Sequence, residues 1–147
     1  MSANGMNNNE QDITGLKNAV ASLERALNIV LKKERDKTTE PAEIELLHAG
    51  LIQNFEFAYE IGWKQMKKWL EFNIGRNSVA GITRNELFRL AAENLLIADV
   101  EKWMDFHKAR NSTAHEYSGM IAENVYEKAK EFLPHVKDLL TRLEART

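Results

Sequence analysis

Cysteine is missing from the sequence altogether. Its absence removes disulfides, thiolate metal ligands and cysteine nucleophiles in one step, and it fits a cytoplasmic protein. Proline occurs only twice and glycine seven times in 147 residues, too few for a loop-rich or low-complexity chain. No apolar run approaches the roughly 18 residues of a membrane span, and the N-terminus lacks the basic and apolar regions of a signal peptide. A soluble chain without membrane attachment is expected. An excess of one charge is lacking too, since 20 Lys and Arg face 22 Asp and Glu for a formal net charge of −2. Nothing in that balance advertises nucleic acid or an anionic membrane, so any anion-binding site has to be local.

What the sequence does contain is helical periodicity. The opening MSANGMNNNE is polar and aperiodic; residues 1–11 are expected to be a disordered leader, with Met6 an alternative start, and 12–147 a single domain. From Ile13 on, Leu16, Ala19, Val20, Leu23, Ala26, Leu27, Val30 and Leu31 recur at the three-and-four spacing of one helix face. The charged stretch KKERDKTTEP ends that helix, and Pro41 suits the first turn of the next. The second helix is expected from about Ala42 to Phe72 and carries most of the aromatic residues. Leu47, Leu51, Phe55, Tyr59, Met66 and Leu70 share one side while Phe57 and Ile61 project from another, so it should pack against several neighbours or a second subunit. Gly50 and Gly62 would allow close approach. NIGRNSVAG reads as a turn. Thr83-Arg84-Asn85-Glu86 has the form of a capping box opening a third helix through about Leu96, and Asp99 can cap a fourth with Val100, Trp103, Met104 and His107 facing inward. Ser118-Gly119 interrupts the pattern before a last helix bearing Ile121, Val125, Ala129, Phe132, Val136, Leu139, Leu140 and Leu143, within which Pro134 is expected to kink rather than stop the chain. No strand and no repeat stands out. The fold class is all-α, an antiparallel four- to five-helix up-and-down bundle.

Several chemistries lack the residues they need. Glu45-x-x-His48 has the spacing of one half of a di-iron carboxylate site, but such a site needs two of these motifs plus two further glutamates and only one motif is present, so His48 reads as an ordinary surface or partly buried histidine and no metal is expected. Walker, dinucleotide-binding, zinc-protease and nucleophile-elbow patterns are all absent, and no cofactor is implied. Aromatic residues at helical spacing read as core rather than as a base-stacking platform.

One stretch serves neither core nor solvated face. ARNSTAHEY, residues 109–117, gathers Arg110, Asn111, Ser112, Thr113, His115 and Tyr117. On an uninterrupted helix, positions 110 and 115 lie about 140° apart, so a working pair requires the helix to end within or just beyond the segment, with His115 turning back toward Arg110. The plain alternative makes Arg110 and His115 cations favoured by a helix C-terminus.

The pattern Arg-Asn-x-x-x-His-x-Tyr, filled by Arg110, Asn111, His115 and Tyr117, resembles the signature of HEPN domains in its HepT-like toxin form. FEFAYEIGWKQMKKWLEF is similar to the second helix of the bacterial family described as nucleotidyltransferase substrate-binding proteins, and TRNELFRLAAENLLIADVEKWMDFHKARNSTAHEY resembles its third and fourth. Many relatives carry an acidic residue just before the arginine, where this chain has Lys108-Ala109. The resemblance implies a HEPN-like bundle that forms a homodimer with both motifs in a shared cleft, and a small nucleotidyltransferase as partner. In the toxin branch it implies a metal-independent endoribonuclease of a toxin-antitoxin pair, restrained when the partner transfers AMP to the motif tyrosine, here Tyr117. Arg110 and His115 would be the catalytic pair, Asn111, Ser112 and Thr113 supporting or phosphate-binding groups, and His107 an outside candidate. The other reading open at this point is a non-catalytic nucleotide- or substrate-binding subunit of a two-component nucleotidyltransferase, with a purely structural bundle behind it.

Overall fold

The computed structural model describes residues 12–115 and 119–146, with side chains described for 12–112 and 123–146. Among them six helices and no strand are found: α1 (Thr14–Arg35), α2 (Pro41–Ile74), the four-residue α3 (Arg76–Val79), α4 (Arg84–Glu93), α5 (Val100–His115) and α6 (Gly119–Glu144). The leader, Tyr117 and Ser118 lie outside the described residues.

Cross-helix pairs fix the directions. Ser22 meets Asn54 and Glu34 meets His48, so α1 and α2 are antiparallel. Lys17 pairs with Glu144 and Lys137 with Glu24, which sets α6 antiparallel to α1. Glu56 pairs with Arg110 and Tyr59 meets His107, while Asp105 pairs with Lys128 and Lys102 with Glu131, so α5 runs antiparallel to both α2 and α6. His48 stacks on Tyr126 while Phe55 meets Phe132 seven residues on, so α2 and α6 are parallel across the diagonal. The result is an up-and-down bundle of four long helices, with α4 laid against α5 and α2.

Local chemistry explains the boundaries. Asp36 closes the first turn by accepting from the Thr38 N–H and hydroxyl at 2.9 and 2.7 Å, and Pro41 opens α2, where a missing N–H costs nothing. Thr83 caps α4 by accepting from the Glu86 N–H at 3.1 Å and donates its hydroxyl to the Glu86 carboxylate at 3.0 Å. Asp99 accepts from the Lys102 N–H at 3.0 Å and so caps α5. The NIGRNSVAG turn holds the short α3 between Gly75 and Gly81, both at positive φ. The third expected helix stops at Glu93 rather than Leu96, because the Leu95 and Leu96 N–H groups turn back to the Ala92 and Ala91 carbonyls with Leu95 in the left-handed region at φ 64°. Helix α6 continues through Pro134.

Phe132 sits at the centre of the core. Its ring meets Phe106 at 5.0 Å, Phe55 at 5.2 Å and Trp103 at 5.3 Å, all edge to face, each pair contributing about 0.5–1.5 kcal/mol beyond area burial. The expected stripes of α1 and, from Val125 on, of α6 point inward, and on α2 Leu51, Phe55, Tyr59, Met66 and Leu70 are buried while Phe57 is 63% exposed. Gly62 admits Trp103 and Leu139, whose atoms would lie 3.6 Å from an added Cβ. Gly50 has nothing within 4 Å, so the close approach expected there does not occur. On α5 the buried residues are Trp103, Phe106 and Ala109, and the inward face is rotated from the expected one, leaving Val100, Met104 and His107 at its flanks.

Candidate functional site

Helix α5 sets Arg110, near the start of the ARNSTAHEY segment, against the middle of α2. Its backbone stays helical through His115, so the helix end expected within or just beyond the segment does not fall between positions 110 and 115, and the two positions stand about 140° apart around one axis. The side chains of Thr113 and His115, together with Tyr117, lie outside those described.

Arg110 reaches across to α2. Its Nη1 is 3.2 Å from Glu56 Oε2 and its Nε 3.6 Å from Glu60 Oε1, with all three side chains about a third exposed or less. Glu56 and Glu60 are one helical turn apart and therefore share a face. The other oxygen of Glu60 accepts from Trp63 Nε1 at 3.1 Å and pairs with Lys64 at 3.9 Å. Two carboxylates of the neighbouring helix thus meet the Arg110 charge.

His107, one turn before Arg110, anchors a second network. Tyr59 Oη lies 2.7 Å from His107 Nδ1, and Arg84 Nη1 donates to Tyr59 Oη at 2.8 Å. The guanidinium can only donate, so the phenol accepts from Arg84 and gives its single proton to Nδ1. The neutral ring then carries its proton on Nε2, where the Asn111 amide nitrogen placed 3.3 Å away cannot accept it, and turning the amide to present its oxygen satisfies both groups. Burial, Arg84's charge and a smaller opposing effect of Glu60 together hold His107 below the ordinary histidine value of 6.5. Burial likewise pushes the Tyr59 phenol well up despite Arg84, so it stays protonated.

The remaining candidates divide. Asn111 is exposed and tied to His107 rather than to Arg110. The Ser112 hydroxyl donates to the Ala109 carbonyl at 2.8 Å, an in-helix bond that leaves it unactivated as a nucleophile. His48 lies apart, held by Glu34 at 2.7 Å and stacked on Tyr126 at 4.0 Å, a partly buried histidine in a structural network. No group of three or more His, Asp or Glu suited to a metal occurs among the described residues. Sequence reading missed Glu56, Glu60, Tyr59 and Arg84 as site members. The i,i+4 acidic pair inside an aromatic helix was the one local signal.

Known proteins resemble the chain along most of its length. The model of a family described as nucleotidyltransferase substrate binding protein like matches residues 11–145. The chain is 35% identical over 103 residues to the probable ribonuclease HepT of Haemophilus influenzae, covering 69% of this chain and 70% of that one. Its structure is similar to that of a Haemophilus influenzae protein described as having the fold of a substrate binding domain of a nucleotidyltransferase, with TM-score 0.84 and 30% identity over 90% of this chain and 99% of that one. A Thermus thermophilus protein shares the fold at TM-score 0.59 and 22% identity, covering 82% and 98% of the two chains.

Proposed function

This chain belongs to the nucleotidyltransferase substrate binding protein like family, and from that premise we propose that it is a metal-independent endoribonuclease restrained by a nucleotidyltransferase partner. The observation that carries the reading is the orientation of Arg110. Ion pairs to Glu56 and Glu60 hold its guanidinium in one pose at a partly exposed position, as a group that must meet a phosphate without reorganising requires. The likeness to a relative named as a probable ribonuclease supports the same activity.

In this mechanism His115 removes the proton from a ribose 2′-hydroxyl, and the 2′-oxygen attacks the adjacent phosphorus. Arg110 stabilises the charge gathering on the phosphoryl oxygens. The 5′-oxygen leaves with a proton from the partner subunit's motif, and the products carry a 2′,3′-cyclic phosphate and a 5′-hydroxyl. The separation of about 140° between positions 110 and 115 on a continuous helix favours a cleft shared by two subunits over one built within a single chain. Control resides at Tyr117, whose phenol oxygen attacks the α-phosphorus of ATP on the partner enzyme with pyrophosphate leaving. The added AMP phosphate then competes with RNA for Arg110.

Arg110→Ala and His115→Ala should each lower RNA cleavage by about 10²–10⁴-fold with little change in thermal midpoint, and wild-type cleavage should persist in EDTA. Intact mass after incubation with the partner and ATP should rise by one adenylyl group in the wild type and stay unchanged in Tyr117→Phe. The second reading, a non-catalytic nucleotide-binding subunit, is supported by the description of the family as substrate binding protein like. It takes over if the wild type leaves RNA intact while the variants melt early.

A further inference from the structure

Beside the motif, and not used by the mechanism above, a cavity of about 270 Å³ opens between α2, the 79–83 connection, α4 and α5. Trp63 and Lys67 line it from α2, Ile82 from the connection, Arg84 from α4 and His107 from α5. Arg84 is fixed in its wall. The guanidinium carbon stands 3.6 Å above the Trp63 ring, and Nη1 is bonded to Tyr59 at 2.8 Å with His107 Nδ1 at 3.3 Å. All of these partners are neutral. Among the described residues no carboxylate lies within ion-pair distance of Arg84 or of Lys67. Among the described residues two half-buried cations therefore face one concavity without an ion-paired carboxylate, an arrangement that costs solvation unless an anion offsets it.

We infer that this cavity is a phosphate subsite, in which Arg84 and Lys67 bind the phosphate ester of a nucleotide. Arg84 is held with its guanidinium carbon over the Trp63 ring, and a planar fork so fixed suits two phosphate oxygens, while Lys67 adds a mobile point charge. Ile82 and the edge of Trp63 give the sugar an apolar wall. The volume exceeds that of a bare phosphate and falls below that of typical drug-sized pockets, which sets the occupant at about one nucleotide's phosphate and ribose. His107 separates this cavity from the motif, with Nδ1 toward Arg84 and Nε2 toward Asn111, the neighbour of Arg110. Insofar as the subsite serves the proposed ribonuclease, it holds a phosphate flanking the scissile one. A free mononucleotide offers the same chemistry.

Calorimetric titration of the full chain separates these cases with three probes: adenosine, AMP, and a short 2′-O-methyl oligoribonucleotide that lacks the attacking hydroxyl. AMP or the oligonucleotide should bind and adenosine should not. Lys67→Gln, a change at a partly exposed side chain, should weaken binding about ten-fold or more and lower the oligonucleotide's salt slope by about 0.7. Arg84→Gln should weaken it further, with thermal midpoints recorded for both variants. Loss for AMP and oligonucleotide alike identifies a site open to free nucleotides; loss for the oligonucleotide alone identifies an RNA subsite. Binding that Lys67→Gln leaves unchanged, or a wild type that takes up no phosphate ester, overturns the assignment. None of these readings needs cleavage. A wild type that never cuts RNA yet loses AMP binding on Lys67→Gln defeats the ribonuclease reading alone, whereas unchanged binding with intact cleavage defeats the subsite alone.

Discussion

His107 shows how a single residue can be read one way in sequence and another in structure. Its position on α5 left it poised between core and cleft, and nothing nearby in the chain names its partners, because Tyr59 and Arg84 come from 48 and 23 residues away. Glu56 and Glu60 were equally hidden, since an acidic pair on a half-exposed helix reads as a solvated face until α5 is laid across it. The histidine's environment has a measurable consequence. Its folded-state value lies below 6.5, so as pH falls the unfolded chain takes up a proton first. Its contribution to stability is therefore fully present above about 6.5, the unfolded value, and is lost as pH falls through the folded one. Glu34 acts in a lower window. Burial works against its ionisation, yet hydrogen bonds from Tyr126 and His48 keep its carboxyl below the ordinary value, so that contribution is lost only as pH falls through the carboxylate range. Denaturant melts taken between pH 8 and about 5 should show wild-type stability declining with acid more steeply than that of His107→Gln. Parallel profiles would mean that His107 is not held neutral by Arg84 and burial.

At the scale of the helices, periodicity was informative wherever one face alone is covered. Helices α1 and α6 pack on one side, and their stripes were legible down to individual residues such as Leu23 and Phe132. Helix α5 is covered from several directions, by α2, α4 and α6, so its apolar residues do not form a clean stripe and Phe106 escaped notice. The caps at Thr83 and Asp99 were legible because a cap is local chemistry. The stop after α4 was not, because the left-handed position there is held by leucine where glycine is usual. Leu95 is 62% exposed and has little packing to lose, while a non-glycine residue in that region costs roughly 1–2 kcal/mol. Leu95→Gly should therefore raise stability, by up to about 1 kcal/mol after the added flexibility of the unfolded chain is deducted. Denaturant melts check this, and a loss of stability would mean that Leu95 makes contacts worth more than its backbone strain.

The whole molecule is a four-helix frame that sets α2 against α5 and leaves the outer face of α2 uncovered. Phe57, 63% exposed, stands one residue from the Glu56 that holds Arg110. The bundle class was readable from the sequence; the assembly is a proposal that this apolar face supports. A two-fold dimer on it would bring two motifs together, and light scattering should then report about twice the chain mass of 16.9 kDa. A monomer at micromolar concentration would remove the shared cleft. The central claim, that the Arg110 and His115 motif cuts RNA by its own 2′-hydroxyl, is tested most directly with an RNA oligonucleotide whose mapped cleavage position carries a single 2′-deoxy sugar. In EDTA the all-ribose strand should be cut to a 2′,3′-cyclic phosphate and a 5′-hydroxyl, read by mass spectrometry of the fragments, and the substituted strand should remain whole at that position. Undiminished cleavage at the deoxy position, or fragments ending in 3′-hydroxyl and 5′-phosphate, would contradict it.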